Sequence, residues 1–386
     1  MKKILLLSGL FAFISVTTIE AQQDTSAVKM DPKAATYFNN AVQNLQSQKY
    51  EEAVIYADSS LQITKDYKTY LLKGDALVKL NKYAEAKEAF NASLSLNQND
   101  AAYNKIANTQ LLLKEYDDAI ATYNKILQVS NSEETKKNAQ ESIAFINNTK
   151  AVELFNEGNE LSKASKFDEA IKKYDASLVI NTNDPKTHFQ KGITLSKMEK
   201  SDDAEKSFNA AIAADPTFDL AYLALAGLLT KKNDYDGAIK NYEKVIEVSK
   251  NPTLVNSAKE GESRTYLVAG NTAIKEKKYD KALDYFTKAN EKAGSDQAFL
   301  GLAKAYNEKR QYDNALKSLD STVALKKTVS DGAIAYYRGL IYFNKGDNTK
   351  ALENFKAGLT DPTYKKACQS QIDFINAKLK GAKSKK

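Results

Sequence analysis

Residues 70–90 read YLLKGDALVKLNKYAEAKEAF, and this stretch decides the fold. Its fixed points are Tyr70, Gly74, Leu77, Tyr83, Ala86 and Phe90, with a short turn at Asn81-Lys82-Tyr83. The physical reading is a helix pair. A small residue at 74 lets two helix axes approach closely, and aromatics one turn away fill the groove beside them.

The same arrangement recurs along the chain. Alanines with this surround stand at Ala53, Ala86, Ala119, Ala170, Ala204, Ala238, Ala282, Ala315 and Ala351, spaced 33, 33, 51, 34, 34, 44, 33 and 36 residues apart. Twelve residues before each is Gly or Ala in every case: Ala41, Gly74, Ala107, Gly158, Gly192, Ala226, Gly270, Ala303 and Gly339. Four residues after come Phe90, Tyr123, Tyr174, Phe208, Tyr242, Phe286 and Phe355, with Ala57 and Leu319 as exceptions. The turn aromatic becomes Ser201 in the fifth unit and Asn348 in the ninth, so looser turns are expected there.

A period near 34 residues with these fixed points resembles the tetratricopeptide repeat. The second and sixth units carry the resemblance best, the sixth through Tyr222, Ala226, Leu229, Tyr235, Ala238 and Tyr242. The resemblance covers nine units, from about residue 34 to 364. It implies an all-α right-handed superhelical solenoid of helix-turn-helix repeats with extra closing helices. It also implies a partner-binding scaffold, although such a fold does not name the partner.

The long spacings suggest three modules of three units. Residues 136–147 align without gaps with residues 365–376, seven of 12 positions being identical, so each reads as a closing helix. The middle segment shares only a start signal, Asn251-Pro252-Thr253 beside Asp361-Pro362-Thr363, where Asn or Asp caps and Pro opens a helix. The middle helix is expected to be short and fused into the next unit. The expected divisions are a signal at 1–21, a linker at 22–33, modules at 34–149, 150–262 and 263–380, and a disordered Lys-rich tail at 381–386. In the last closing helix, Ile372, Phe374, Ile375 and Leu379 are expected to form the buried stripe.

The ends account for the charge. Lys2 and Lys3 precede an apolar run from Ile4 to Val16 and a polar stretch to Ala21, the order of a cleaved export signal. Of the net +7, the last nine residues supply five lysines and the first 21 a net +1, which leaves about +1 for the body. The charge of the body therefore does not argue for a polyanionic partner, and nucleic acid is not expected. The expected location is the periplasm, or secretion, with no membrane-spanning segment after cleavage and at most weak envelope contact through the Lys tail.

One His and one Cys argue against a metal, haem or iron–sulfur site, and no cofactor is expected. His188 occupies a slot held elsewhere by Tyr or Phe and reads as packing; Cys368 aligns with Ala139 and reads as a buried small thiol. Carboxylate pairs such as Asp117/Asp118 fall at second-helix starts, where they complement the helix dipole. No catalytic constellation is present, and an enzyme is not expected.

What remains is the groove. By resemblance it is lined by the first helix of each unit, one residue after the aromatic slot and four further on. The candidate partner-binding residues are Asn108, Asn159, Lys186, Phe189, Ile193, Leu223, Asn271, Leu300, Lys304, Tyr336 and Leu340. Apolar pockets mixed with Asn amides suit an extended peptide or a partner helix. A family subtype clamps a C-terminal carboxylate with Lys, Asn and Arg on successive units. Here Asn104, Phe155 and Gln190 stand where further basic or amide groups would be wanted, so that clamp is not expected. The sequence thus predicts a non-enzymatic, periplasmic protein- or peptide-binding scaffold. The alternative is a structural subunit of an envelope assembly, touching neighbours by its convex face or ends.

Overall fold

The structure, a computed structural model, describes residues 30–383; the expected signal and most of the linker lie outside them. Among the described residues every regular element is an α-helix, nineteen in all. The chain divides into two compact units, residues 1–150 and 151–386.

The first unit holds three hairpins: α1 (Pro32–Gln46) with α2 (Tyr50–Ile63), α3 (Tyr67–Lys79) with α4 (Tyr83–Leu96), and α5 (Asp100–Leu112) with α6 (Tyr116–Val129). Helix α7 (Glu133–Lys163) begins there, and its later half opens the second unit by pairing with α8 (Phe167–Ile180). The second unit continues with α9 (Pro185–Lys197) and α10 (Ser201–Ala214), α11 (Asp219–Lys231) and α12 (Tyr235–Val248), and α13 (Pro252–Lys275) and α14 (Tyr279–Lys292). It ends with α15 (Asp296–Glu308) and α16 (Tyr312–Leu325), α17 (Asp331–Lys345) and α18 (Asn348–Gly358), and α19 (Lys365–Lys383).

Each hairpin turns on one left-handed residue. Eight are not glycine: Gln48, Asn81, Lys114, Ser165, Glu199, Asn233, Lys277 and Arg310, all with φ between 59° and 64°; the ninth is Gly346 at 92°. In the second hairpin Lys82 N donates to Leu77 O and Asn81 N to Val78 O, a Schellman closure that satisfies the last carbonyls of the first helix. The fifth unit keeps this geometry at Glu199 despite Ser201, so the expected loosening is absent. The backbone sets the turn, and the aromatic after it only packs.

The spacing of small residue and ring is a packing rule. A methyl group added at Gly158 would meet the Tyr174 ring at 2.6 Å, at Gly192 the Phe208 ring at 2.6 Å, and at Gly339 the Phe355 ring at 2.7 Å. The ring of the second helix therefore lies on the bare backbone of the first. Tyr174, Phe90, Phe208, Phe286 and Phe355 are among the largest fully buried side chains. Hydroxyls add a repeated tie: Ser60 donates to Ala34 O at 2.9 Å, Ser93 to Tyr67 O at 2.8 Å and Ser177 to Ala151 O at 2.9 Å.

The closing segments dock alike but do not end alike. Ala139, Ile143 and Ile146 pack with Tyr123 and Ile126; Cys368, Ile372 and Ile375 pack with Phe355. Ala258 takes the same place beside Tyr242 and Val245. The expected divisions at 149/150 and 262/263 fall inside α7 and α13. Only α19 is a separate closing helix. Residues 147–151 carry neither Gly nor Pro, and continuing the helix leaves no orphaned backbone groups to cap.

Three further expectations at the ends need correction. Helix α1 starts at Pro32, inside the expected linker, because the Asp31 side chain accepts from Lys33 N at 2.8 Å and caps it. Helix α19 runs to Lys383, into the expected disordered tail, of which 384–386 lie outside the described residues. Its buried stripe is Cys368, Ile372 and Ile375; Phe374 is 57% exposed and Leu379 38%. Phe374 lies about 100° around the helix from Ile375, off the stripe, and rests edge-on against Phe343.

Candidate functional site

The eleven groove candidates separate into ties, packing residues and a hollow. Asn108 and Asn159 are ties. Asn108 Oδ1 accepts from the Tyr123 hydroxyl at 2.6 Å, and Asn159 Oδ1 from the Tyr174 hydroxyl at 2.9 Å. Their amides serve the second helix of their own repeat. Asn271 is exposed, and its Nδ2 donates to Leu267 O one turn back in its own helix. Lys186 is exposed in the first turn of α9.

Phe189, Ile193 and Leu223 are packing residues. They belong to the cluster around Phe208 and Leu225, where the Phe189 ring lies 6.0 Å from Phe208 and edge-on to Phe218 at 5.3 Å. Leu300 is buried beside Ala315 and Leu319. Tyr336 sits among Tyr337, Phe355 and Tyr364, with ring centroids 5.2, 6.0 and 5.4 Å away. These five side chains, Phe189, Ile193, Leu223, Leu300 and Tyr336, hold hairpins together rather than face a ligand.

Lys304 and Leu340 are the two candidates that meet at an open site. They line a hollow of about 210 Å³ in the second unit, between the first helices of the last three repeats. Helix α13 contributes Ile274, α15 contributes Ala303, Asn307 and Glu308 besides Lys304, and α17 contributes Tyr337 and Ile341 besides Leu340. The walls are mostly apolar, and the polar groups come from one face of α15.

The Lys304 ammonium stands 4.4 Å from the centre of the Tyr337 ring, a cation–π placement. Burial lowers its pKa from the ordinary lysine value. Burial likewise pushes the Tyr337 phenol up. Asn307 Oδ1 accepts from Asn344 Nδ2 at 3.1 Å, and Glu308 Oε2 accepts from the Tyr279 hydroxyl at 3.4 Å. Two lysines near the ends of other first helices are paired, Lys232 with Asp202 and Glu205 at 2.6 and 2.7 Å, and Lys345 with Asp313 at 2.5 Å.

Sequence reasoning missed Ile274, Asn307 and Tyr337. Ile274 and Asn307 each stand four residues after the small residue of their repeat, at Gly270 and Ala303. One further helical turn in the groove register would have found both. Tyr337 carried no such signal, since it neighbours a packing slot.

Among the described residues no group of three or more His, Cys, Asp or Glu side chains could hold a metal ion, and no helix is long and apolar enough to cross a membrane. Cys368 is buried, and His188 Nε2 lies 2.9 Å from Thr182 O.

Profiles of the tetratricopeptide repeat family match residues 71–134, 189–252, 263–291 and 300–364, together more than half of the chain. The chain belongs to the tetratricopeptide repeat family. A TPR repeat-containing protein of Methanocaldococcus jannaschii is 25% identical over 311 residues, covering 79% of this chain and 53% of that protein. The Hsp70-Hsp90 organizing protein 1 of Glycine max is 26% identical over 192 residues, covering 42% of this chain and 33% of that protein. The chain thus spans about half the length of the first relative and a third of the second. The TPR domain of P58(IPK) aligns at 12% identity with a TM-score of 0.33, covering 90% of this chain and 99% of that one. Proteins of this family are in general non-enzymatic scaffolds for protein interaction.

Proposed function

We propose that this repeat protein is a non-enzymatic scaffold that holds a protein or peptide partner on the first-helix face of its repeats, with the hollow between α13, α15 and α17 as its anchor. The observation that carries the reading is that hollow: apolar walls beside a half-buried amine that lies over the Tyr337 ring. Apolar pockets with a few fixed polar groups are how binding sites generally orient a ligand. The Glycine max relative is named for organising two chaperones, which agrees with a scaffold role without naming this chain's partner. The Lys2-Lys3 start, the apolar run after it and the polar stretch to Ala21 support export to the periplasm.

Photocrosslinking in cells tests the reading. A photoreactive residue at position 337 is expected to capture a partner protein, and Leu340→Asp to remove the capture, with thermal melts checking that the fold persists because Leu340 also packs against the Phe355 core. Capture unaffected by Leu340→Asp would overturn the site. Export is tested by the mass of the mature chain, expected to begin after Ala21.

A further inference from the structure

The hollow that anchors the proposed partner carries a more specific signal in the state of one amine. Lys304 projects from α15 over the face of Tyr337, and the ring holds it inside the hollow rather than out in water. A half-buried ammonium loses hydration, and a ring quadrupole restores only part of it. The amine lacks the usual local remedy. Glu308, one helical turn along α15, accepts from the Tyr279 hydroxyl at 3.4 Å. Asn307 Oδ1 is already taken by Asn344, so that amide offers chiefly N–H donors to the hollow. The hollow thus offers one ammonium and one amide donor group, with the Glu308 carboxylate turned to Tyr279 as its acidic member, and Ile274 and Leu340 as apolar walls.

We propose that Lys304 seats the carboxylate of an Asp or Glu side chain within a partner peptide, while apolar residues beside that acid lie against Ile274 and Leu340. The proposal rests on the reading of this face as peptide-binding. Charge complementarity selects the occupant: an anion restores what burial took from the ammonium, and in a partly dry hollow it is screened less than at the surface. A side chain suits the site better than a chain terminus. One amine and one amide satisfy one carboxylate, and apolar walls on both sides call for chain continuing in both directions.

The test uses the full chain and a display library of 12-residue peptides fused at their C-termini, so that no free terminus is offered. Retained peptides are expected to share an acid at one fixed position with apolar neighbours. The consensus peptide, synthesised with blocked ends, is expected to bind Lys304→Gln ~10-fold more weakly, about 1.4 kcal/mol. Lys304→Arg is expected to keep affinity within ~3-fold, because the positive charge remains. Replacing the peptide acid by its amide is expected to weaken binding to the unaltered protein ~10-fold and to Lys304→Gln hardly at all, the sign of direct coupling. Retained peptides without a fixed acid, or equal binding by Lys304→Gln, would overturn the proposal. If Leu340→Asp abolishes binding while Lys304→Gln does not, the acid assignment fails and the peptide-binding reading stands. If no peptide is retained, or binding ignores both substitutions, both fail.

Discussion

The Tyr123 hydroxyl donates to Asn108 Oδ1 at 2.6 Å, joining the second helix of the third hairpin to the first. The same bond joins Tyr174 to Asn159 in the next hairpin. An exposed amide on a first helix looks like a ligand group in sequence, yet here it completes a buried phenol. Tyr123→Phe should cost ~1 kcal/mol, the usual net worth of such a bond. Combined with Asn108→Ala, it should show a smaller loss than the sum, measured by denaturant unfolding. Neither change should alter peptide binding; a loss of binding on Asn108→Ala with unchanged stability would contradict the assignment.

Ring-on-backbone packing makes a second prediction. Gly270→Val pushes a branched side chain against the Phe286 ring, which a methyl at that position would already meet at 2.7 Å. Overpacking of this kind costs about 1–3 kcal/mol, and Phe286→Ala about 3–5 kcal/mol through the cavity it leaves. Differential scanning calorimetry should show the larger drop for Phe286→Ala.

The turns predict a gain. Lys114 and Arg310 hold φ of 62° and 59°, a conformation that strains every residue with a Cβ. Glycine removes that strain and returns part of the gain as chain entropy. Lys114→Gly and Arg310→Gly should each stabilise by roughly 0.5 kcal/mol, read as a rise in the denaturant midpoint with an unchanged slope. Gly346→Ala should do the opposite.

Two buried acids predict opposite pH responses. Asp296 is 2% exposed. Burial alone would raise its pKa, but the backbone N–H groups of Thr328, Val329 and Lys327 and the Thr328 hydroxyl outweigh that and lower it to about 2. A folded pKa below the ordinary 3.8 means stability present above that value and lost as pH falls toward 2. Asp296→Asn should therefore destabilise at neutral pH and lose its effect in strong acid. Glu262 is fully buried with Lys292 at 2.7 Å, and desolvation raises its pKa despite that partner. Lys292, whose side chain stays 34% exposed, is pushed up by the same pair, so the cost of burial falls on the carboxylate. The folded state then holds the Glu262 proton more tightly than the unfolded one, and this group's contribution falls as pH rises through the raised value. Thermal melts of Glu262→Gln against the unaltered protein should diverge in the variant's favour as pH rises above the ordinary carboxylate value of 4.5.

Most of the fold was legible because its rule is local. Gly192 and Phe208 announce their contact by spacing alone, and the turn that joins their helices follows from the same register. The site was less legible because its character depends on what neighbours do. Asn159 and Asn271 share one slot, but Tyr174 opposite Asn159 has a hydroxyl to satisfy and Phe286 opposite Asn271 has none. Lys304 resembles any lysine of the repeat until Glu308 is seen engaged elsewhere. The continuity of α7 was missed because a repeat boundary leaves no mark where the chain, at residues 147–151, carries neither Gly nor Pro.

Helix α13 has a consequence for how the second unit comes apart. Its early turns belong to the core around Tyr242 through Ala258, and its late turns to the core around Phe286 through Ala273. Stacked hairpins ordinarily melt as neighbours with separable stabilities. One rod shared by two cores removes that freedom, since neither end can fray without loosening the other. Amide hydrogens along Pro252–Lys275 should then exchange as a single cooperative block, slower than those of α15 or α17, and partial unfolding should stop at this rod rather than pass through it.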